Sequence, residues 1–495
     1  MSATRPAGAK KRALVVGAGP AGLATGVRLL EEARGELDVT LVHMGHHVGG
    51  KAASYVDGYG RAVEHGWHMV LGFYKRLRAL MRRAGVDEAR ALASMAGKSH
   101  AFEPSTGRVA TLDSTGGRVA MAARFTEYAG MPVDDRMHYA RFMAQTYALV
   151  LAGEDLTKHD DVCFTRWAID RGLRPHVARY AIFRLFREGY FNFPDQISAY
   201  HVLQTMKLMS TSEDAEAFCA RGPWSERVWS PIARYFESLG GKILPYTMVR
   251  ALVYEGRKVR ALEVARPDPS GHAHGRAPLA TPSLRIEEGT ARRLSDFEFV
   301  VSAIPQAVFV TLGPDDTRLW GSPYFARMKN LRSVATVSLT VRTAEPTFDW
   351  TGPVHGLPAP LGIGTNMSRY LDAYRGPGAR AGTEVQFVGQ EAGFERWSDD
   401  EITSFTLDNF AKVPGCDLRK ARITYAELHR NRSDFERIFA CEPGVQRFRP
   451  GPLTPFDNLF MAGDWVRNDV DVVCMEGAVA SGYAAADALL GRLSA

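Results

Sequence analysis

Short, uniformly apolar runs closed by glycine alternate along the chain with longer stretches of helical spacing. Near the amino terminus, Ala13-Leu14-Val15-Val16 has the even hydrophobicity of a strand buried on both faces, and Gly17-Ala18-Gly19-Pro20-Ala21-Gly22 follows it at once. The small-residue stretch Ala21 to Leu30 predicts a helix, and Val39-Thr40-Leu41-Val42 predicts a second buried strand. Strand, glycine turn, helix and strand in that order predict one unit of a parallel sheet.

From Phe73, Leu77, Leu80, Met81 and Ala84 recur at helical spacing, with Lys75, Arg76, Arg78, Arg82 and Arg83 on the other side and Gly85 closing the helix. Residues 100–215 predict mostly helix, rich in aromatics and methionine. A helix over Pro231 to Leu239, ended by Gly240-Gly241, precedes a strand over Lys242 to Val249. Strands near Ala251 to Tyr254 and Val259 to Val264 come next, then a surface loop or hairpin over Arg266 to Arg293 and a buried strand over Phe297 to Ile304. Val334 to Arg342 alternates as a half-exposed strand should, and Glu384 to Gly389 predicts another, so the middle of the chain should hold an antiparallel sheet. Trp397 to Glu401 reads as a capped helix start. Asn458 to Trp465 predicts a buried strand that delivers Gly463 and Asp464 at its carboxyl end, and Cys474-Met475-Glu476-Gly477-Ala478 opens a helix of small residues running to Leu490.

The glycine turn carries the first chemistry. In its strand–helix setting, Gly17 makes the tight turn, Gly19 lets the backbone approach a pyrophosphate, and Gly22 and Gly26 let the helix lie close on the sheet. Pro20 and Ala21 open a helix whose amino terminus faces the anion. The residue placed to meet the adenosine ribose, about twenty positions on, is His43 rather than Asp or Glu. A carboxylate accepts from two ribose hydroxyls, whereas neutral imidazole offers one acceptor, so His43 weakens this contact; a protonated His43 would suit a 2′-phosphate, and with it NADP. Gly49-Gly50-Lys51-Ala52 would add a second wall, giving backbone room and a counter-charge to a phosphate, with a plain turn as the alternative. The run Val63-Glu64-His65-Gly66-Trp67-His68 to Tyr74 is dense enough in glycine, aromatics and histidine to form a cofactor face. An acid at a strand end and a helix amino terminus aimed at a carbonyl oxygen, as at Asp464 and Met475, are what a flavin ring needs.

Composition changes this picture little. A chain of 495 residues, 45% hydrophobic and 23% charged, with net charge +6, should hold two or more globular lobes, and its scattered arginines form no nucleic-acid module. Cys163, Cys219, Cys416, Cys441 and Cys474 make no CxxC pair, which fits a reduced cytoplasmic chain without zinc. His43, His46 and His47 lack ligand-spaced carboxylates, so no metal is expected. No run of about 18 apolar residues is free of charge, so no membrane span is expected. The basic helix after Phe73 could lie on an anionic membrane surface, although a solvated face is the commoner reading.

These pieces, in this order, resemble the flavin-dependent carotenoid desaturases of the amine oxidase superfamily, closest to the zeta-carotene and phytoene desaturase branch and the squalene-associated desaturases. The resemblance rests on Gly17 to Gly22, Gly49-Gly50-Lys51, Glu64 to Tyr74, Gly222 to Gly241, and Arg449-Pro450 to Gly482. It implies an α/β fold. An FAD-binding, Rossmann-like domain of the glutathione reductase type would be assembled from residues 1–75, 222–305 and 450–495. A mixed α+β substrate domain with an antiparallel sheet would come from 76–221 and 306–449. It implies one non-covalent FAD, and so favours FAD over NADP. Lys51 would approach the pyrophosphate, Val249 would meet the adenine through its backbone, and Gly66, Trp67 and His68 would lie beside the isoalloxazine. Asp464 would bind ribityl or phosphate oxygens, and Met475, Gly477 and Ala478 would sit at the pyrimidine end.

The activity so implied is dehydrogenation or desaturation of a hydrophobic small molecule, isoprenoid or polyketide-like, by hydride transfer to flavin. No catalytic residue is assigned. Three alternatives share the scaffold: an amine or amino acid oxidase; a redox-neutral isomerase in which His68 or Glu476 handles protons; and a prenyl-protein escort that binds no flavin.

Overall fold

The computed structural model describes residues 10–45, 47–56, 62–64, 66–113, 132–179, 191–193, 195–212, 217–268 and 286–494. His46, His65, the first nine residues and most of the loop predicted after Arg266 therefore lie outside the described residues.

Five parallel strands form the central sheet: β1 (Lys11–Val16), β2 (Leu37–Val42), β3 (Lys242–Leu244), β4 (Phe299–Ser302) and β5 (Leu459–Met461), in the order β3-β2-β1-β4-β5. Their apolar runs are buried on both faces, as a parallel sheet covered by helices requires. Helices α1 (Pro20–Glu32), α2 (Lys75–Arg83), α3 (Ser230–Ser238) and α4 (Met475–Leu493) share one apolar core with this sheet. The two chain ends meet here. Gly482 on α4 lies so close to α1 that a Cβ on it would fall 2.4 Å from the Ala21 oxygen, and Thr25 Oγ1 donates to the Gly482 carbonyl at 3.1 Å.

The strand predicted over Lys242 to Val249 is two strands. Pro245 and Tyr246, the latter at φ 52°, break it, and Met248–Glu255 turns into an antiparallel sheet with Lys258–Ala265 and Arg292–Leu294. Residues 100–215 are less helical than the pattern suggested, because they open with the hairpin Lys98–Glu103 and Arg108–Asp113. That hairpin extends a seven-stranded sheet containing Thr336–Thr343, Glu384–Gln390 and Ile423–Asn431. The expectation of a half-exposed strand after Val334 fails: apart from half-buried Arg342, every residue of Thr336–Thr343 is buried, polar face included, because both faces of the sheet are covered here, the apolar one by helix Asp399–Phe410. Helix Asp399–Phe410 starts as the sequence implied, with Ser398 and Glu401 forming a capping box.

The arginines of α2 are engaged by acids: Arg76 by Asp469, Arg78 and Arg82 by Glu88 at 2.7 Å each, and Arg83 by Glu31 at 3.3 Å. No described helix is long and apolar enough to cross a membrane, and all five cysteines are free thiols.

Candidate functional site

The site is built where the parallel strands end. Gly17 N donates to the Val42 carbonyl, Ala303 N to Val16 and Ala462 N to Ser302, each at 2.8 Å, so the ends of β1, β2, β4 and β5 are laced together at one edge. Two strand spacings separate β1 from β5, which sets the glycine turn and the Gly463-Asp464 turn about 10 Å apart.

Sterics explain why glycine occupies the first turn. Gly17 has φ 110°, and a Cβ on Gly22 would sit 1.8 Å from the Gly17 oxygen. Gly19 precedes α1 without any side-chain cap, Pro20 follows, and the first turn carries no acid, so its backbone N–H groups are open to an anion. Against it stands the second wall. Gly49 N donates to the Ala18 carbonyl at 2.8 Å, and a Cβ on Gly50 would approach the Gly19 Cα to 2.9 Å. Two bare backbones thus touch, forming a shallow cradle beside the α1 terminus that a side chain at Gly50 would push apart.

Lys51 follows in the short helix Gly50–Ala52. Its ammonium donates to the Arg437 carbonyl; burial lowers its pKa, while the nearby Asp464 and Glu436 charges oppose that shift. The turn is seated by a residue that sequence reasoning did not single out. Trp229 donates from Nε1 to the Ala52 carbonyl at 2.7 Å, and a Cβ on Gly49 would fall 2.4 Å from its ring. Trp229 closes a π turn, Ser225–Trp229, that leads into α3.

His43 is buried at the end of β2, its N–H on the Leu244 carbonyl at 3.1 Å and its carbonyl accepting from Thr247 at 2.9 Å. Val249, also buried, pairs with Val264 beside a register shift in the neighbouring antiparallel sheet. His43 and Val249 therefore belong to the same end of the site.

Gly66, Trp67 and His68 are half-buried. Trp67 Nε1 is a buried donor without a partner among the described residues. His68 packs edge-on to Trp224 with ring centroids 6.1 Å apart, and burial lowers its pKa to about 4 although it bonds the backbone at Gly66 and Lys51. It is a neutral imidazole at pH 7. Glu64, half-buried beside them, accepts from Trp224 N at 3.1 Å, and burial raises it to about 8.

The late strand presents half-buried Asp464 after Gly463, whose N–H donates to Ser481 Oγ of α4 at 2.9 Å. Beneath this turn lies Arg449, fully buried, donating to the carbonyls of Trp465 at 2.9 Å and of Asp464 and Val466 at 3.2 Å each. Asp471 pairs with it at 2.6 Å and also accepts from Tyr200 at 2.6 Å. Sequence reading missed Arg449, Asp471 and Tyr200; only the Arg449-Pro450 pair marked the region. Met475, Gly477 and Ala478 form the first turn of α4, capped by Cys474 Sγ accepting from Gly477 N at 3.3 Å. Glu476 turns away from that end: its oxygens accept from Arg76 N at 2.8 Å and Leu77 N at 2.9 Å, capping α2. Both carboxylate oxygens are thereby engaged by α2, which argues for a structural role over proton handling.

The cradle, the uncapped α1 terminus, the orphaned Trp67 donor and the half-buried Asp464 fit a dinucleotide with a ring at its far end, spanning β2 to β5. Comparison with known proteins agrees. Residues 20–490 match the family described as flavin containing amine oxidoreductase. The chain is 24% identical to the zeta-carotene desaturase of Synechocystis sp. over 97% of each chain. It is 23% identical to the 15-cis-phytoene desaturase of Synechococcus elongatus, covering 97% of this chain and 96% of the other. Among solved structures, a putrescine oxidase variant superposes with TM-score 0.70 at 15% identity over 98% of this chain and 99% of its own. The cyclohexylamine oxidase of Brevibacterium oxydans superposes with TM-score 0.67 at 15% identity, over 98% of this chain and all of that one (100%).

Proposed function

The chain belongs to the family of flavin containing amine oxidoreductases, and on that footing we propose how its residues hold FAD and what they act on. The pyrophosphate lies against the joined turns of Gly17, Gly19, Pro20, Ala21 and Gly22 and of Gly49, Gly50, Lys51 and Ala52. The adenosine lies between His43 and Val249. The ring lies against Gly66, Trp67 and His68, with Gly463 and Asp464 at the ribityl chain and Met475, Gly477 and Ala478 at the pyrimidine edge. Bound FAD would supply a two-electron acceptor for a C–H bond of the substrate. The protein orients it, excludes water, and sets the positive end of α4 beside the pyrimidine edge. We keep residues 1–75, 222–305 and 450–495 as the FAD-binding domain and 76–221 and 306–449 as the substrate domain; the origin of all five parallel strands in the first set supports that division, while α2, from the second set, packs on the same sheet.

The enzyme is an FAD-dependent oxidoreductase of desaturase or dehydrogenase type acting on an apolar small molecule. The observation that carries the assignment is the facing of Gly19 and Gly50 at one sheet edge with Asp464. Purified protein should show flavin absorbance that bleaches anaerobically with a lipophilic substrate and yields new conjugation in it. Hydrogen peroxide release with amines alone would favour the oxidase alternative. Protein without flavin absorbance, even after FAD is added, would overturn the proposal.

We propose that peripheral membrane contact is made by helix Val133–Leu151 rather than by α2. Val133, Met137, Tyr147 and Leu151 are exposed along it, whereas the four arginines of α2 are already engaged by Asp469, Glu88 and Glu31. Replacing Met137 and Leu151 by Glu should abolish co-sedimentation with anionic vesicles, and unchanged co-sedimentation refutes the assignment.

A further inference from the structure

The antiparallel sheet of the second lobe has one face that apolar packing does not explain. Its register sets Thr336 opposite Gln390 and Asn431, Ser338 opposite His429, and Thr340 opposite Gln386. Side chains alternate across a sheet, so these residues share one face. Val337, Leu339, Val341, Val385 and Phe387 share the other, and pack with Ile402 and Phe410 of helix Asp399–Phe410. Both faces are buried, with Thr336, Ser338 and Gln390 at 5%, 4% and 4% exposure. Burial for stability alone selects valine and leucine on both faces.

The polar face borders the proposed ring site. A Cβ on Gly66 would meet Val388 Cγ1 at 3.8 Å, and Val388 stands between Gln386 and Gln390 on that face. Glu64, at the other end of the Glu64–His68 run, feels the charge of Glu384 from the same strand.

Part of the face satisfies itself: Asn431 Nδ2 donates to Thr336 Oγ1 at 2.9 Å, and Arg342 pairs with Glu384 at 2.8 Å. The glutamines do not complete their bonding. Gln390 donates from Nε2 to the Phe191 carbonyl at 2.9 Å, but among the described residues its Oε1 is buried without a partner, and so is Oε1 of Gln386. Buried acceptors are kept unpaired only at a cost, and a molecule that brings a donor removes it.

On the flavin oxidoreductase reading, we infer that the substrate is an apolar skeleton carrying one hydrogen-bonding end, read by Gln386 and Gln390: a hydroxyl would donate to one of the two amide oxygens, a protonated amine to either or both. A hydrocarbon of the same skeleton would leave both amide oxygens bare, and is discriminated against for that reason.

The holoenzyme is titrated anaerobically with β-farnesene, farnesol and farnesylamine, one skeleton with three ends, and affinity is read from the perturbed visible spectrum of the flavin. Farnesol or farnesylamine should bind about tenfold or more tightly than the hydrocarbon. The Gln386→Leu, Gln390→Leu double variant should lose most of that preference while keeping its flavin and its farnesene affinity. Gln390→Met, nearly isosteric, should show the same trend if the double variant folds poorly. A polar-ended probe that binds no better than farnesene, or a preference that survives both variants, overturns the inference. Loss of the flavin reading shows earlier and separately, as a preparation without flavin absorbance, and takes the inference with it.

Discussion

Arg449 and Asp471 meet at 2.6 Å, the arginine wholly buried and the aspartate nearly so, directly beneath the turn that presents Asp464. Nε and Nη2 of the guanidinium donate to three successive carbonyls of that turn, Nη1 also reaches Gln446 Oε1 at 3.3 Å, and Asp471 accepts from Tyr200 of the helix Ala199–Thr211 with its other oxygen. The pair therefore fixes the shape of the late strand end and ties it to the second lobe. Removing one member leaves a buried charge alone, which costs about 3–5 kcal/mol. Arg449→Met and Asp471→Leu should each lower unfolding stability by that order, and the double variant by less than their sum. Denaturant unfolding with parallel flavin assays checks this; additive losses would mean that the two side chains act independently.

Glu476 offers a contrast in role. Its carboxylate caps the amino terminus of α2 through Arg76 and Leu77, and burial raises its pKa. Glu476→Gln should cost about 1 kcal/mol of stability, as the loss of a charged cap does, and leave the rate of flavin reduction by substrate unchanged. A large fall in that rate with unaltered stability would make Glu476 a proton carrier instead.

Much of the fold was legible because its signals are local. The strand over Ala13 to Val16, the glycine turn and the small-residue helix after Cys474 each follow from neighbouring residues and their sterics, as the clash at Gly22 illustrates. The break at Tyr246 was not legible, since a tyrosine at φ 52° is set by where the chain must go next, not by its own preference. Arg449 looked like any surface arginine, because its partners lie at residues 464–466 and 471 and only folding brings them underneath. The polar sheet face misled in the opposite way. Alternation at Val334 to Arg342 is the mark of a solvated face, yet that face is turned inward, and only tertiary structure tells the two apart.

Stability should depend on pH through Glu64 and His68. Burial raises Glu64 from 4.5 to about 8, against the Trp224 N–H that favours its charged form and with Glu384 nearby adding to the rise. An acid with a raised folded pKa helps the fold fully below its unfolded value, so this contribution is complete below 4.5 and is lost as pH rises through about 8. His68 behaves oppositely: lowered from 6.5 to about 4, its contribution is complete above 6.5 and is lost as pH falls through about 4. Thermal midpoints across this range should show Glu64→Gln flattening only the decline that runs from pH 4.5 to about 8. A variant that follows the wild-type profile there would assign the decline to other groups.

His43 stands where an acid would hold two ribose hydroxyls. It is buried between the Leu244 carbonyl and the Thr247 N–H, so a replacement inherits the same position. His43→Glu should regain one hydrogen bond, about 0.5–1.5 kcal/mol, and tighten FAD by up to about tenfold. Titration of the apoprotein with FAD measures it directly; unchanged or weaker affinity would show that the imidazole already serves the ribose as well as a carboxylate can.

The contact between Thr25 and Gly482 has a consequence for synthesis. A ribosome delivers the first strand, turn and helix hundreds of residues before the segment that must lie against them, and β5 completes the sheet only when nearly all of the polypeptide has emerged. The early apolar surface has to wait, shielded by chaperones or by transient collapse, for a partner so distant in sequence, and closing so long a loop is slow. Premature termination anywhere before residue 459 would therefore leave not a smaller enzyme but an exposed half-sheet prone to aggregate.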